Sequence, residues 1–417
     1  MWWLLAFVAI VFANYAARAD DLASALQSPT LTGSLRTGYW NSNRNLDNNL
    51  NYTPSSVWLK TASDFESGWY ARGQGWLLDE RPVDRGSRVL GDLQEGYVGW
   101  RNDKIEISLG RRILAWGRAD RINPTDVLTA RDYTRLFAYD EDQRLGSVVG
   151  TASYTFGDMT ATALWLPEFR PNIFPVPQNK GFSVRQGTDR LSADQFAVRL
   201  NRTGGNFDWA LSYLAGVNRN PGARLIGLSP AGVLVDAVYN QVQIWGADFA
   251  TNSGKYGLRG EMAYSQPHAS KGDIFSPRPF VEAVLGVDRN VTSSVNVNLQ
   301  YFVHHVFSYR DPAFGSSPTI EYIAIKTAML NNQRVATQHG PALRIGYTTL
   351  NDALLIEATG LIFLSDQSFS LRPRVTYAIS DRMKFVAGGD IFTGPRDSYF
   401  GQLRRNTTFL SEIRYEF

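Results

Sequence analysis

Apolar and polar residues alternate with a two-residue period through almost the whole chain, in eighteen candidate segments. Successive side chains of a strand point to opposite faces, so each segment has one greasy face and one polar face. The last is the clearest. Phe409, Ile413, Tyr415 and Phe417 share one parity, and Glu412, Arg414 and Glu416 share the other. A soluble sheet built from such strands exposes an aggregation-prone edge. A closed barrel in a membrane has no edge, and it takes apolar residues outside and polar ones inside.

The connections sort by length. Short links rich in Gly, Asn, Asp and Ser stand at 66–67, 102–103, 157–158, 204–205, 252–254, 290–292, 350–352 and 380–381. Such residues suit tight turns. Between them lie long segments at 43–55, 80–89, 113–145, 167–191, 218–237, 267–278, 308–333 and 393–405, and only 365–367 is short on the long-loop side. A sandwich or propeller does not sort its loops this way, whereas a barrel with periplasmic turns and extracellular loops does. The expected fold is all-β, a single antiparallel up-and-down transmembrane barrel over residues 31–417. Eighteen strands fit best and sixteen is the nearest competitor.

Composition agrees where it bears on this. Mean hydropathy is −0.24, as expected when only alternate residues meet lipid. Aromatic residues make up 13%, with 11 Trp and 19 Tyr, enough for two interfacial girdles. The chain has no Cys, which excludes a disulfide framework and a thiolate metal site, and a net charge of +3 gives no reason to expect nucleic acid. The first twelve residues are apolar and uncharged, and Ala17-Arg18-Ala19 precedes Asp20. This is the pattern of a secretory signal peptide over residues 1–19, cleaved after Ala19. Residues 20–30 are expected to form a short periplasmic segment, and nothing before the first strand reads as a plug domain.

With the apolar parity outside, the polar parity faces the lumen. It holds Arg36, Lys60, Arg72, Arg112, Arg199, Arg344, Arg372, Arg374, Lys384 and Arg414, and among carboxylates Glu95, Glu261, Glu357, Asp390 and Glu412. An Arg or Lys turned to the bilayer midplane costs roughly 2–4 kcal/mol, so the inward assignment follows. Basic residues are denser on strands that meet when the barrel closes. They either help anions through or simply pair with Glu357, Asp390 and Glu412. The long loop 113–145 interleaves Arg and Asp: Trp116, Arg118, Asp120, Arg121, Asn123, Asp126, Arg131 and Asp132 are its candidate site residues. Asn123-Pro124-Thr125-Asp126 reads as a turn, and Val127–Phe137 as a short helix. Folded into the bore, the loop is a constriction. Otherwise it is an outer lid. The histidines lack metal-ligand spacing, and no nucleophile elbow, phosphate loop or dinucleotide fingerprint is present, so neither cofactor nor metal nor enzyme activity is expected.

Two motifs carry a resemblance. The strand ending in Phe417 resembles the C-terminal signature of bacterial outer-membrane barrels, which implies recognition by barrel-assembly machinery. The run Gly110-Arg111-Arg112 through Trp116-Gly117, Asp120 and Asn123-Pro124 resembles a pattern in large porin-like barrels, including families near the alginate-export barrels. This implies an outer-membrane channel in contact with lipid and lipopolysaccharide. The lipid-facing pattern fits a homotrimer and a monomer equally. The leading expectation is passive diffusion of small polar or anionic solutes. The alternative is export of an acidic exopolysaccharide, and the third is an enzyme or adhesin on a barrel platform.

Overall fold

The computed structural model describes residues 30–42, 51–80, 88–174, 182–186, 194–229, 232–269, 273–313 and 317–417. The expected signal peptide and nearly all of the segment 20–30 lie outside the described residues.

Eighteen antiparallel strands form the wall. They are β1 (Thr30–Ser42), β2 (Ser55–Asp64, preceded by the short piece Asn51–Tyr52), β3 (Trp69–Glu80), β4 (Arg88–Arg101), β5 (Ile105–Arg112) and β6 (Ser147–Phe156). Next come β7 (Met159–Leu166), β8 (Gln195–Arg202), β9 (Phe207–Val217), β10 (Gln241–Ser253), β11 (Tyr256–Pro267) and β12 (Phe280–Asn290). The last six are β13 (Val295–Val306), β14 (Thr337–Thr349), β15 (Leu354–Phe363), β16 (Ser368–Ala378), β17 (Met383–Thr393) and β18 (Thr408–Glu416). Each pairs with the next, and β18 returns to β1 in register from Ser34 opposite Glu416 to Ser42 opposite Thr408. Mutual backbone hydrogen bonds between Gly33 and Phe417 extend the seam. The sheet therefore has no open edge.

The wall sorts its side chains as the period predicts. Leu35, Leu59, Leu77, Leu109, Trp245, Met262 and Ile413 are exposed on the outer face. A wall of exposed apolar side chains is stable only against lipid. Leu285, at mid-height on β12, is 65% exposed and marks the middle of that face. Leu285→Arg is expected to destabilise the barrel by about 2–4 kcal/mol. Urea titration of folding in lipid vesicles measures this, and an unchanged midpoint would contradict the outward assignment.

Three loops carry more structure than the sequence suggested. Segment 218–237 forms a hairpin, Gly222–Ser229 with Gly232–Val238, to which Phe182–Gln186 adds in parallel. Segment 308–333 contains the helix α1 (Pro318–Leu330), opened by proline after Ser317. Ser317-Pro318 is a helix-start signal, although α1 has no sharp apolar stripe to advertise it. The segment 393–405 includes a further short helical turn, α2 (Tyr399–Gln402), whose Phe400 packs inward on Phe363.

Candidate functional site at the loop inside the barrel

After Arg112 the chain does not leave the barrel. Loop 113–145 drops into the bore and meets inward side chains from strands all round the wall. The contacts fall near the middle of those strands: Arg36 on β1, Asp248 on β10, Glu261 on β11 and Arg344 on β14.

The leading limb is held by a carboxylate. Glu261, 4% exposed, accepts hydrogen bonds from the backbone N–H of Arg118, from that of Ala119 at 2.5 Å, and from the N–H and hydroxyl of Thr125 at 3.3 and 2.9 Å. Such close backbone approach requires Gly117. Its φ is +102°, and a Cβ there would lie 2.6 Å from a Glu261 oxygen. Arg118 then reaches Asp248 at 2.7 Å, Asn201 at 2.6 Å and Asp208 at 3.4 Å. Arg199 shares Asp248 at 2.8 Å and lies over the Trp116 ring. The turn at Asn123–Asp126 is present, closed by Asp126 N–H donating to the Asn123 carbonyl at 3.1 Å.

The far wall holds the loop by charge. Asp120 pairs with Arg344 at 3.1 Å, and Arg344 also meets Glu357 at 3.3 Å. Arg121 bonds Asp140 at 2.9 Å, Asp140 bonds Arg372 at 2.6 Å, and Asp390 binds both Arg372 and Arg374. Asp142 takes Arg36 at 2.7 Å. Within the loop, Asp126 holds Arg131 and Arg144, and Asp132 holds Arg135. Apolar side chains complete the seat: Leu114, Trp116 and Val127 on one cluster, Ile122 on a second, Leu136 and Tyr139 on a third, Phe137 against Trp58 and Trp76 on a fourth.

The expected helix over Val127–Phe137 does not form. Its carbonyls are taken by tertiary donors: buried Arg219 donates to Val127 O at 3.2 Å and Leu128 O at 2.5 Å. Thr129 is tied to the backbone of Leu114, and Ala130–Arg131 pairs with Arg144–Leu145 as a small ribbon. Burial outweighs the nearby Asp126 carboxylate and pulls the Arg219 guanidinium down to about 10.

The two aspartates of the returning limb, Asp140 and Asp142, titrate on opposite sides of the ordinary value. Burial works to raise both. Around Asp140 the Arg372 and Arg121 guanidinia outweigh it and hold the group at about 2, whereas at Asp142 burial wins and the group is raised. The contribution of Asp140 is therefore complete above the ordinary value near 4 and is lost as pH falls towards 2. Acidification is expected to loosen the loop only as Asp140 takes its proton, well below the ordinary aspartate range, because protonating Asp142, raised in the seated loop, favours the seated state. Open-channel noise recorded from pH 6 to pH 2 measures this. A single step at ordinary aspartate pH would contradict it.

No family model matches the chain, and no curated protein does. Solved structures do. They include OpdK of Pseudomonas aeruginosa, determined with vanillate, at a TM-score of 0.57 and 9% identity over 94% of this chain and 99% of that one. OccK5 (OpdH) of the same organism has a TM-score of 0.56 at 9% identity, over 94% and 98%. OccD3 (OpdP), also of Pseudomonas aeruginosa, has a TM-score of 0.54 at 10% identity, over 94% and 92%. The chain shares the closed β-barrel fold of these structures. At these identities the likeness establishes architecture alone, and it does not bear on the resemblance to alginate-export barrels.

Within the barrel the expected site residues divide. Trp116, Arg118, Asp120, Arg121, Asp126, Arg131 and Asp132 belong to one connected seat with Arg36, Arg344, Glu357, Arg372, Arg374 and Asp390. Asn123 contributes its backbone, and its side-chain oxygen is buried without a partner among the described residues. The remainder stand apart from the loop's ion pairs. Arg72 pairs with Asp64 at 2.9 Å near the short-turn end, and Lys384 with Glu416 at 2.8 Å. Arg112 donates to Ser108 at 2.7 Å and covers Tyr97. Among the described residues Lys60 and Arg112 have no ion pair. Reading by parity missed as anchors Gln94, Asn201, Arg219 and Gln300, whose side-chain oxygen accepts the N–H groups of Arg121 and Ile122 at 3.2 and 3.4 Å. Neutral amides and an arginine in a loop distant in sequence leave no pattern by which to find them.

Proposed function

We propose that this chain is an outer-membrane channel for passive diffusion of small polar or anionic solutes. One observation carries the reading. Loop 113–145 crosses the bore at mid-height and is tied to opposite walls, so it narrows the cylinder. Charged groups of both signs line this level, which favours hydrated and ionic solutes over apolar ones. The OpdK barrel determined with vanillate supports a small carboxylate as the class of solute a barrel of this fold takes. A sliding polymer needs a wide bore, and a loop held by buried ion pairs on both sides opposes that use. The outer face is covered by lipid, and by lipopolysaccharide on the long-loop side.

Purified protein in planar bilayers tests the reading. Stepwise conductance is expected, with liposome swelling rates that fall as solute size rises. Absence of conductance, or swelling indifferent to size, would defeat it.

A further inference from the structure

One irregularity in the wall lies where both ends of the loop arrive. In the β3–β4 ladder Gln74 opposes Glu95 while Gly75 opposes Leu93, so Gln94 is an extra residue. A bulge of this kind turns two consecutive side chains to one face. Both point inward. Glu95 accepts the N–H of Ile113, the first residue of the loop, at 3.1 Å. Gln94, 1% exposed, donates through Nε2 to the carbonyls of Arg144 at 3.0 Å and Asp142 at 3.4 Å on the returning limb. Its Oε1 accepts from Gln74 at 3.1 Å, which fixes the amide orientation. The limb then seats on the bulge backbone: a Cβ on Gly146 would lie 1.8 Å from the Gln94 carbonyl.

We infer that the bulge at Gln94 is the latch that closes the base of the inward loop, and that Gln94 is a positioning residue setting the width of the constriction. The inference rests on the channel reading. Asp140 and Asp142 lie on the limb that Gln94 holds, and they reach Arg372 and Arg36 across the bore. A freed limb takes both carboxylates with it. On this wall Glu95 holds the leading end and the Gln94 amide the returning one, so the effect of removing the amide falls on the loop rather than on the barrel.

Two variants of the full chain in planar bilayers test this. Gln94→Leu removes the donor. Gln94→Glu keeps the size, donates one hydrogen bond as a neutral acid, and as a carboxylate donates none to the two carbonyls. The charged groups around this position are Asp92 and Glu95 on β4, Arg111 on β5, Asp142 and Arg144 on the limb, and Arg170 from the next loop, which bonds the Gly146 carbonyl at 2.6 Å. Gln94→Leu is expected to show larger conductance and open-channel noise than the wild type at every pH. Gln94→Glu is expected to match the wild type at low pH and the Leu variant at high pH. A loss of packing alone has no such pH dependence. A conducting wild type with both variants identical to it at every pH overturns the latch. A wild type that does not conduct brings down the channel reading and the latch with it.

Discussion

Glu261→Ala is expected to release the leading limb of the loop, raising single-channel conductance and noise together. Glu261 accepts from three backbone N–H groups and one hydroxyl of the loop, and among the described residues those of Arg118, Ala119 and Thr125 have no other acceptor. A buried donor left without a partner costs about 1–3 kcal/mol, so three or four together cost about 3–5 kcal/mol when water in the lumen reaches some of them. The rest of the limb is bound to what Glu261 places: Gly117 is set against it, and Arg118 enters the Asp248 and Asn201 pair only from that position. The barrel ladder does not depend on this side chain. The variant should therefore fold, with normal heat-modified gel mobility, and conduct more. Unchanged conductance in a folded variant would mean that the constriction is held elsewhere.

Asp390→Asn is expected to have the second largest effect, on both stability and ion preference. Asp390 is the counter-charge of two arginines, Arg372 and Arg374. Arg372 keeps Asp140 at 2.6 Å. Arg374 keeps only carbonyls, with Gly389 O at 2.6 Å, and is 8% exposed. Removing one partner of a buried pair costs about 3–5 kcal/mol, because the other charge stays buried. The uncompensated positive charge lies beside the loop, so the reversal potential across a salt gradient should move towards anion preference. Arg372→Gln, which leaves Asp140 with Arg121 alone, should move it the other way. If neither substitution shifts the potential, permeating ions do not pass this wall.

These two cases also bear on what the parity pattern could reveal. Alternation placed Arg372, Arg374, Glu261 and Asp390 on the inner face, because a charged side chain facing lipid is expensive wherever the strand runs. The expected basic wall was a sum over like signs. The ion pairs change its meaning: Arg344, Arg372 and Arg374 each face a carboxylate. The length and charge of loop 113–145 marked it as important. They did not reveal that Asp140 would meet Arg372, 232 residues away, because no local periodicity links two such positions. The helix expected over Val127–Phe137 failed for the same reason. Its carbonyls were claimed by Arg219, a residue from another loop. Tertiary hydrogen bonds override local propensity when a segment is buried.

What the amino-acid order determined alone was the wall: strand number, the sorting of short turns from long loops, and which face of each strand meets lipid. These follow from a two-residue geometry that every strand carries within itself. What only the tertiary structure decided was the site. The descent of the loop into the bore, its seat on Glu261 and on the Gln94 bulge, and the pairing of each arginine depend on which groups closure of the barrel brings within hydrogen-bond distance. That proximity is a property of the closed cylinder and of no single strand.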